Sequence, residues 1–265
     1  MKCVKTMRPR TEKIIEAWAK GTNGQIISPI PNDKPIPEDD YFFFGILRGS
    51  GDMMKRANSY YFADHAYFNA GHDKNPAWYR ITKNAHVNSS MSEKPKDRYE
   101  QYFAKPLQPW RTTGSKIVIC PPTGAIEWYF DSKDWIEASI KTLKQHTDRE
   151  IVVRDKPMNP QVSQQNGMTT LSGFEKNKQQ KPLQDDLKDA WAVVTFNSSV
   201  AIDAIYQGIP VFCGPECSAY PVGEQNLELI EKPKRTEREP WLWHLAYNQF
   251  TLKEMESGYA YDCIS

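Results

Sequence analysis

The alternation of apolar and polar positions divides the chain into short strands, helices and polar turns, and is densest over Ala190–Gly214, AWAVVTFNSSVAIDAIYQGIPVFCG. Trp191–Phe196 is a run of Val, Thr and aromatic residues and predicts a buried strand. Asn197, Ser198 and Ser199 are helix-capping types. Val200–Gln207 keeps apolar residues at helical spacing until Gly208 stops the helix, and Ile209–Cys213 resumes as a strand. The result is a β-α-β unit with a polar corner at its first turn. Backbone N–H groups and the positive end of a helix dipole converge at such a corner, a natural seat for phosphate. Asp203 falls four residues beyond Ser199 on the same helix face, where a carboxylate can accept hydrogen bonds from ribose hydroxyls. The same pattern also fits an ordinary turn with a capping Ser and a solvated Asp.

Elsewhere the pattern repeats. Thr11–Lys20 predicts a helix ending at Gly21, Gln25–Ile30 a short strand and Tyr41–Leu47 a continuous apolar strand. Arg48, Gly49, Ser50 and Gly51 follow it as a glycine-containing loop, then a short helix runs through Ala57. This is a second strand–loop–helix corner, without the full dinucleotide fingerprint. Tyr60–Ala63 and Trp78–Thr82 predict further strands, the first ending in Asp64-His65 and the second carrying Arg80. Asn88–Gln101 is polar, a loop or irregular helix. Leu107–Gly114, with Pro nearby, reads as a linker. Beyond it come a strand at Ser115–Cys120, a helix at Asp134–His146, a strand at Glu150–Arg154, a polar loop at Gln161–Lys181 and a short helix at Leu183–Lys188. Glu224–Tyr259 reads as mostly helical apart from Lys232–Pro240, with Trp241–Met255 apolar and aromatic at helical spacing. Strands alternating with helices in both halves imply an α/β fold with parallel sheets and a division near residue 110.

Composition narrows the class. The chain has 265 residues, 39% hydrophobic and 25% charged, enough for one large domain or two small ones. No apolar run approaches the ~20 residues of a membrane span, and the first residues lack the apolar core of a secretory signal. Five scattered cysteines argue for free thiols in a reducing compartment, and so for a cytoplasmic protein. Cys213 and Cys217 have no further Cys/His pair at zinc-site spacing. Residues 1–110 hold 17 Lys/Arg against 12 Asp/Glu and the remainder 17 against 21. That asymmetry permits an anionic partner on the first half.

The stretch Ala190–Gly214 resembles the donor-nucleotide segment of GT-B glycosyltransferases, where a strand, a Ser/Thr-rich turn, an acid-bearing helix and a G-x-P-V strand recur. It is most similar to the capsule polysaccharide and Kdo transferase branch. The resemblance implies two doubly wound, Rossmann-like lobes with a cleft between them: residues 1–110 on the acceptor side, 111–240 binding a nucleotide-sugar, and 241–265 a helix returning to the first lobe, the alternative being a helix packed on its own lobe. It implies that Asn197, Ser198 and Ser199 hold the donor phosphates and that Asp203 faces the ribose. Arg154 and Lys156, in a basic turn before proline, would assist, although Met158-Asn159 stands where relatives carry His-Pro. The loop Arg48, Gly49, Ser50, Gly51 would face the cleft on the acceptor side, with Arg80.

Glycosyl transfer needs a base for the acceptor hydroxyl and stabilisation of the leaving phosphate. Asp64 and His65 are the base candidates because they follow a strand where cleft loops should lie. The alternative is a turn-capping Asp and a surface His; His72 and His86 come next. The sequence contains no Asp-x-Asp, the motif that positions a divalent cation on the diphosphate in the other main glycosyltransferase fold. The expectation is a metal-independent enzyme with no cofactor beyond the nucleotide-sugar co-substrate. The Asp64-His65 region, WYRITKNA and LAYNQFTLKEM also resemble small bacteriophage glycosyltransferases. That resemblance implies a DNA acceptor carrying hydroxymethylated bases, in a host cytoplasm; a saccharide or lipid-linked acceptor, or a non-catalytic binding module, are the other readings.

Overall fold

The computed structural model describes residues 1–6, 8–155 and 182–265, which form two compact units: Met1–Ala104 with Glu239–Ser265, and Lys105–Arg238. The polar loop expected at Gln161–Lys181 lies outside the described residues.

The first unit begins with β1 (Lys2–Val4), α1 (Pro9–Thr22), β2 (Gln25–Ile27), β3 (Asp40–Phe44), α2 (Ser50–Arg56), β4 (Ser59–His65), β5 (Trp78–Lys83) and α3 (Asp97–Tyr102). Strands β2, β1, β3 and β4 lie in that spatial order and run parallel. From β1 the chain passes to β2 on one side and then crosses back to β3 on the other, so β1 and β3 flank a topological switch point. Helix α1 starts with Pro at its first position and ends at Asn23 in the left-handed region, φ 50°, a C-cap geometry that Asn tolerates. Its apolar stripe, Ile14, Ile15 and Trp18, is fully buried. Trp18 stacks on Phe42 at 4.5 Å with 9° between the ring planes, which locks helix to sheet.

In the second unit, β6 (Lys116–Cys120), α4 (Gly124–Phe130), α5 (Trp135–His146), β7 (Glu150–Val153), α6 (Leu183–Leu187), β8 (Ala190–Thr195), α7 (Val200–Tyr206) and β9 (Val211–Phe212) follow one another among the described residues. The sheet is parallel in the order β7-β6-β8-β9, so its switch point lies between β6 and β8. All six residues of β8 are buried, as a strand covered on both faces requires. The stretch expected to be a linker, Leu107–Gly114, is instead laced onto this unit. Gln108 N donates to Tyr206 O at 2.9 Å and Arg111 N to Gly208 O at 2.7 Å. The Arg238 guanidinium lies 4.2 Å from the Trp110 ring and donates to Ile205 O and Gln108 O, both at 2.9 Å. Gly208, at φ +72°, is where this lacing is tightest: an added Cβ would stand 1.9 Å from Pro109 O. Gly208→Ala is therefore expected to cost about 2–4 kcal/mol, from a left-handed backbone and a backbone clash. Urea unfolding should show a lower midpoint at unchanged slope.

The C-terminal segment corrects an expectation. Trp241–Met255 is not one helix but α8 (Glu239–Ala246), a strand β10 (Gln249–Thr251) and α9 (Leu252–Glu256), followed by α10 (Tyr259–Ile264). β10 pairs antiparallel with β5, itself antiparallel to β4, so the first unit's sheet is mixed rather than wholly parallel. The interruption has local causes. The Gln249 side chain, fully buried, satisfies the Phe68 backbone by accepting from its N–H at 2.9 Å and donating to its carbonyl at 3.4 Å. Thr251 and Glu254 then form a reciprocal capping box that restarts the helix. Arg98 of α3, 8% exposed in its side chain, ties the segment down. It pairs with Glu254 at 2.6 Å, donates to Ala246 O at 2.8 Å and Gln249 O at 2.9 Å, and lies between the rings of Trp78, Tyr102, Phe250 and Tyr259 at 5.2–5.8 Å.

All five cysteines are unbridged. Burial pushes the Cys3 and Cys120 thiols up to about 12. The Cys213 thiol is raised by its contact with Cys217 and then by burial. Among the described residues no helix is long and apolar enough to cross a membrane, and no three His, Cys, Asp or Glu side chains are grouped so as to hold a metal.

Candidate functional site

In open α/β sheets ligands bind beyond the carboxyl ends of the strands at the switch point. In the second unit two loops reach that place: Pro121–Thr123 after β6 and Phe196–Ser199 after β8. Thr195 staples them. Its hydroxyl donates to Cys120 O at 2.8 Å and accepts from Ser198 N at 3.1 Å. The Ser198 hydroxyl accepts from Val200 N at 3.3 Å, so two of the corner's N–H groups are satisfied from within. The corner thus offers a ligand the half-buried Asn197 and the exposed Ser199 side chains, with the Ser198 hydroxyl still able to donate. Thr195 was not among the sequence candidates; its chemistry was hidden inside a strand that reads as uniformly buried.

Asp203 stands on α7 as its spacing predicts and is exposed. Desolvation by the surrounding protein raises its carboxyl, against the opposing charge of Lys105. The exposed area is the better guide to reach, and it leaves the carboxylate accessible to a hydroxyl-bearing ligand. Arg154 follows β7, two strands from β8 and so about 10 Å from the corner. Its side chain is 9% exposed and ion-paired with Asp186 of α6, so any contact with a phosphate would first compete with that carboxylate. Lys156 lies outside the described residues. Beside the corner stands an aromatic group: Phe196 meets the rings of Phe130 at 5.5 Å and Trp135 at 5.8 Å, and Trp128 of α4 is 43% exposed. Helix α4 carries no expectation from the sequence, because a two-turn helix behind Pro-Pro-Thr-Gly leaves too short a pattern to read.

The first unit has its own switch point, between β1 and β3. Here the loop after β3 folds on itself. The Ser50 hydroxyl, buried, donates to Gly45 O and Leu47 O, both 2.7 Å away. Arg48 and Gly49 are left-handed at φ +61° and +87°. Ser50 therefore shapes the loop, while Arg48 projects from it as an exposed side chain. Partial desolvation, and after it the charge of Arg8, lowers the Arg48 guanidinium from its ordinary value. Arg8, four residues past β1, was missed because its run, Met7-Arg8-Pro9-Arg10, reads as a plain basic turn.

Asp64 and Arg80 are cross-strand partners in the β4–β5 register, and their side chains pair at 3.1 Å. Burial alone would raise the Asp64 carboxyl; Arg80, helped by His65 and His86, overrides it and holds the carboxyl below its usual range. His65 is exposed at the end of β4. His86 is 7% exposed and stacked on Phe62 at 4.8 Å, and burial pushes its imidazole down to about 3. It is a neutral core residue. His72 stands against His65, with ring centroids 4.7 Å apart.

No family model matches the chain, and no curated protein matches it. Solved structures do. The KpsC β-Kdo 2,4 transferase of Thermosulfurimonas dismutans is similar at a TM-score of 0.50 and 13% identity, over 94% of this chain and 91% of that one. The KpsC β-Kdo 2,7 transferase of the same organism gives 0.47 and 12%, over 98% of each chain. The first likeness is one of fold: α/β with Rossmann-like parallel sheets.

Proposed function

We propose that the chain is a glycosyltransferase of the GT-B type, moving a sugar from a nucleotide-sugar donor to an acceptor hydroxyl without a metal ion. The observation that carries this reading is the Thr195-stapled corner, with Asn197, Ser198 and Ser199 set at a switch point. In this reading these side chains and the remaining N–H groups hold the donor phosphates, and Asp203 accepts from the ribose. Arg154 would offset phosphate charge if released from Asp186, and Lys156, outside the described residues, is the second basic side chain assigned to that role. The first unit supplies acceptor chemistry: Arg48 and Arg80 for orientation, and a base at the end of β4, where Asp64 and His65 lie. The pairing of Asp64 with Arg80 makes Asp64 the weaker base of the two. The fold likeness to a protein named as a Kdo transferase supports a saccharide acceptor. DNA with hydroxymethylated bases is the second reading, favoured by the excess of Lys/Arg over residues 1–110.

The test is binding of CMP-, UDP-, GDP- and ADP-sugars, an activated Kdo among them, followed by calorimetry and thermal shift. The double variant Ser198→Ala/Ser199→Ala is expected to weaken the donor about 10- to 100-fold, the loss of one net hydrogen bond to a charged group at ~1.5–3 kcal/mol, with the fold retained. Unchanged affinity in the folded variant removes the corner from consideration. Nucleotide release in excess EDTA should match that with Mg²⁺, and transfer to oligosaccharide rather than to hydroxymethylated duplex DNA decides the acceptor.

A further inference from the structure

Cys120 and Thr195 are register partners at the carboxyl ends of β6 and β8. The start of α4 and the Asn197–Ser199 corner therefore follow adjacent strand ends of the same sheet. Helix α4 is fixed at both of its own ends. Ile126 N and Glu127 N donate to Thr123 O at 2.8 and 2.9 Å, and Asp131 turns left-handed at φ 52° to stop it, with Ser132 N donating back to Glu127 O at 3.1 Å. None of the seven residues of α4 is buried, so it is an element of the rim and not of the core.

Its last three residues are aromatic and form a row that leads to the corner. Ring centroids are 6.3 Å apart between Trp128 and Tyr129, 4.9 Å between Tyr129 and Phe130, and 5.5 Å between Phe130 and Phe196. Phe196 is the residue before Asn197. At this end the rings pack on one another: Phe130 and Trp135 both meet Phe196 edge-on, at 64° and 79° between planes. Trp128, at the other end, is 43% exposed.

We propose that Trp128 is the platform on which the nucleobase of the donor stacks. The proposal rests on the glycosyltransferase reading, with the donor phosphates at the Asn197–Ser199 corner. A nucleotide held by its phosphates carries a flat ring system away from them, and an indole at the rim offers that ring a matching face. Stacking is tolerant of which base is bound, so the corner sets the position of the nucleotide and Trp128 the lie of its base. The indole has only two side-chain torsions to fix on binding, and the closed ends of α4 hold its backbone in place beforehand. The donor sugar is the poorer partner for this surface, because its hydroxyls interrupt any apolar face it could present.

The test is calorimetry on the full chain with CMP, UDP, GDP and ADP, their nucleotide-sugars, and inorganic pyrophosphate. Trp128→Ala is expected to weaken free nucleotide and nucleotide-sugar equally, by about 5- to 150-fold. Pyrophosphate affinity should stay within twofold of wild type, and Trp128→Phe should recover most of the loss. Nucleotide affinity within twofold of wild type in Trp128→Ala, where Ser198→Ala/Ser199→Ala still weakens it, overturns the platform and leaves the donor corner standing. An equal loss for pyrophosphate shows that the substitution acts through the corner, and a loss confined to nucleotide-sugars moves the contact to the sugar; either overturns the assignment. A wild-type chain that binds no nucleotide overturns both this proposal and the reading beneath it.

Discussion

Arg98→Met is expected to destabilise the protein by about 3–5 kcal/mol, the usual consequence of removing one member of a buried ion pair. The loss is not that of a surface salt bridge. Glu254 would keep its charge opposite an apolar side chain, while Ala246 O and Gln249 O would lose their donors. Each orphaned group adds its own desolvation cost. Four aromatic rings would also lose a cation over their faces. Arg98→Lys should recover little, because an ammonium cannot reach two carbonyls and a carboxylate in separate directions. Urea titration at pH 7 checks both variants. A midpoint within the error of wild type for Arg98→Met would show that the segment holds without its guanidinium.

The second large effect is a pH dependence. His86 is neutral in the fold, with its imidazole pushed down to about 3 from 6.5 by burial, while the unfolded chain takes up its proton below about pH 6.5. The unfolded state therefore binds more protons between those values, and stability falls as pH falls through that window. The full contribution is about 4–5 kcal/mol by pH 3, at ~1.4 kcal/mol per unit. Asp64, held below its ordinary carboxylate range, acts in the same direction, but only below about pH 4. Between pH 6 and pH 4.5 the slope belongs to His86 together with His244, whose buried imidazole is also lowered by desolvation. His86→Leu should flatten it by about one proton's worth, and an unaltered slope in that variant would assign the acid sensitivity elsewhere.

What was legible in the sequence follows from how local each signal is. The β8–α7–β9 corner needs only nearest neighbours in the chain, and its elements fall within a residue or two of their expected ends. The strand β10 was not legible. Phe250 continues the helical spacing of Trp241, Leu242 and Leu245, and only pairing with β5, far back in the chain, makes it extended. Among the candidate site residues the same distinction holds. Ser198, Ser199 and Asp203 are read from spacing. The Asp64–Arg80 pair, Arg154–Asp186 and His72–Tyr79 depend on register or loop closure, which a single sequence does not display. Sequence could rank Asp64 first as a base because nothing local announces that Arg80 lies directly across the ladder.

The first unit is discontinuous, and this orders events at the ribosome. When Lys83 has emerged, β5 presents a bare edge, and the strand that covers it lies more than a hundred and fifty residues downstream. At ~5–20 residues per second, that edge waits roughly ten seconds or more. Lys105–Arg238 is complete before Gln249 is made and can condense as a domain in the interval. Nascent first units on neighbouring ribosomes would meanwhile expose unpaired N–H and C=O groups to one another, the setting in which strands exchange between chains. Slow synthesis or a nonsense codon shortly after Arg238 thus leaves a finished second domain tethered to an unsealed sheet, a natural client for chaperones.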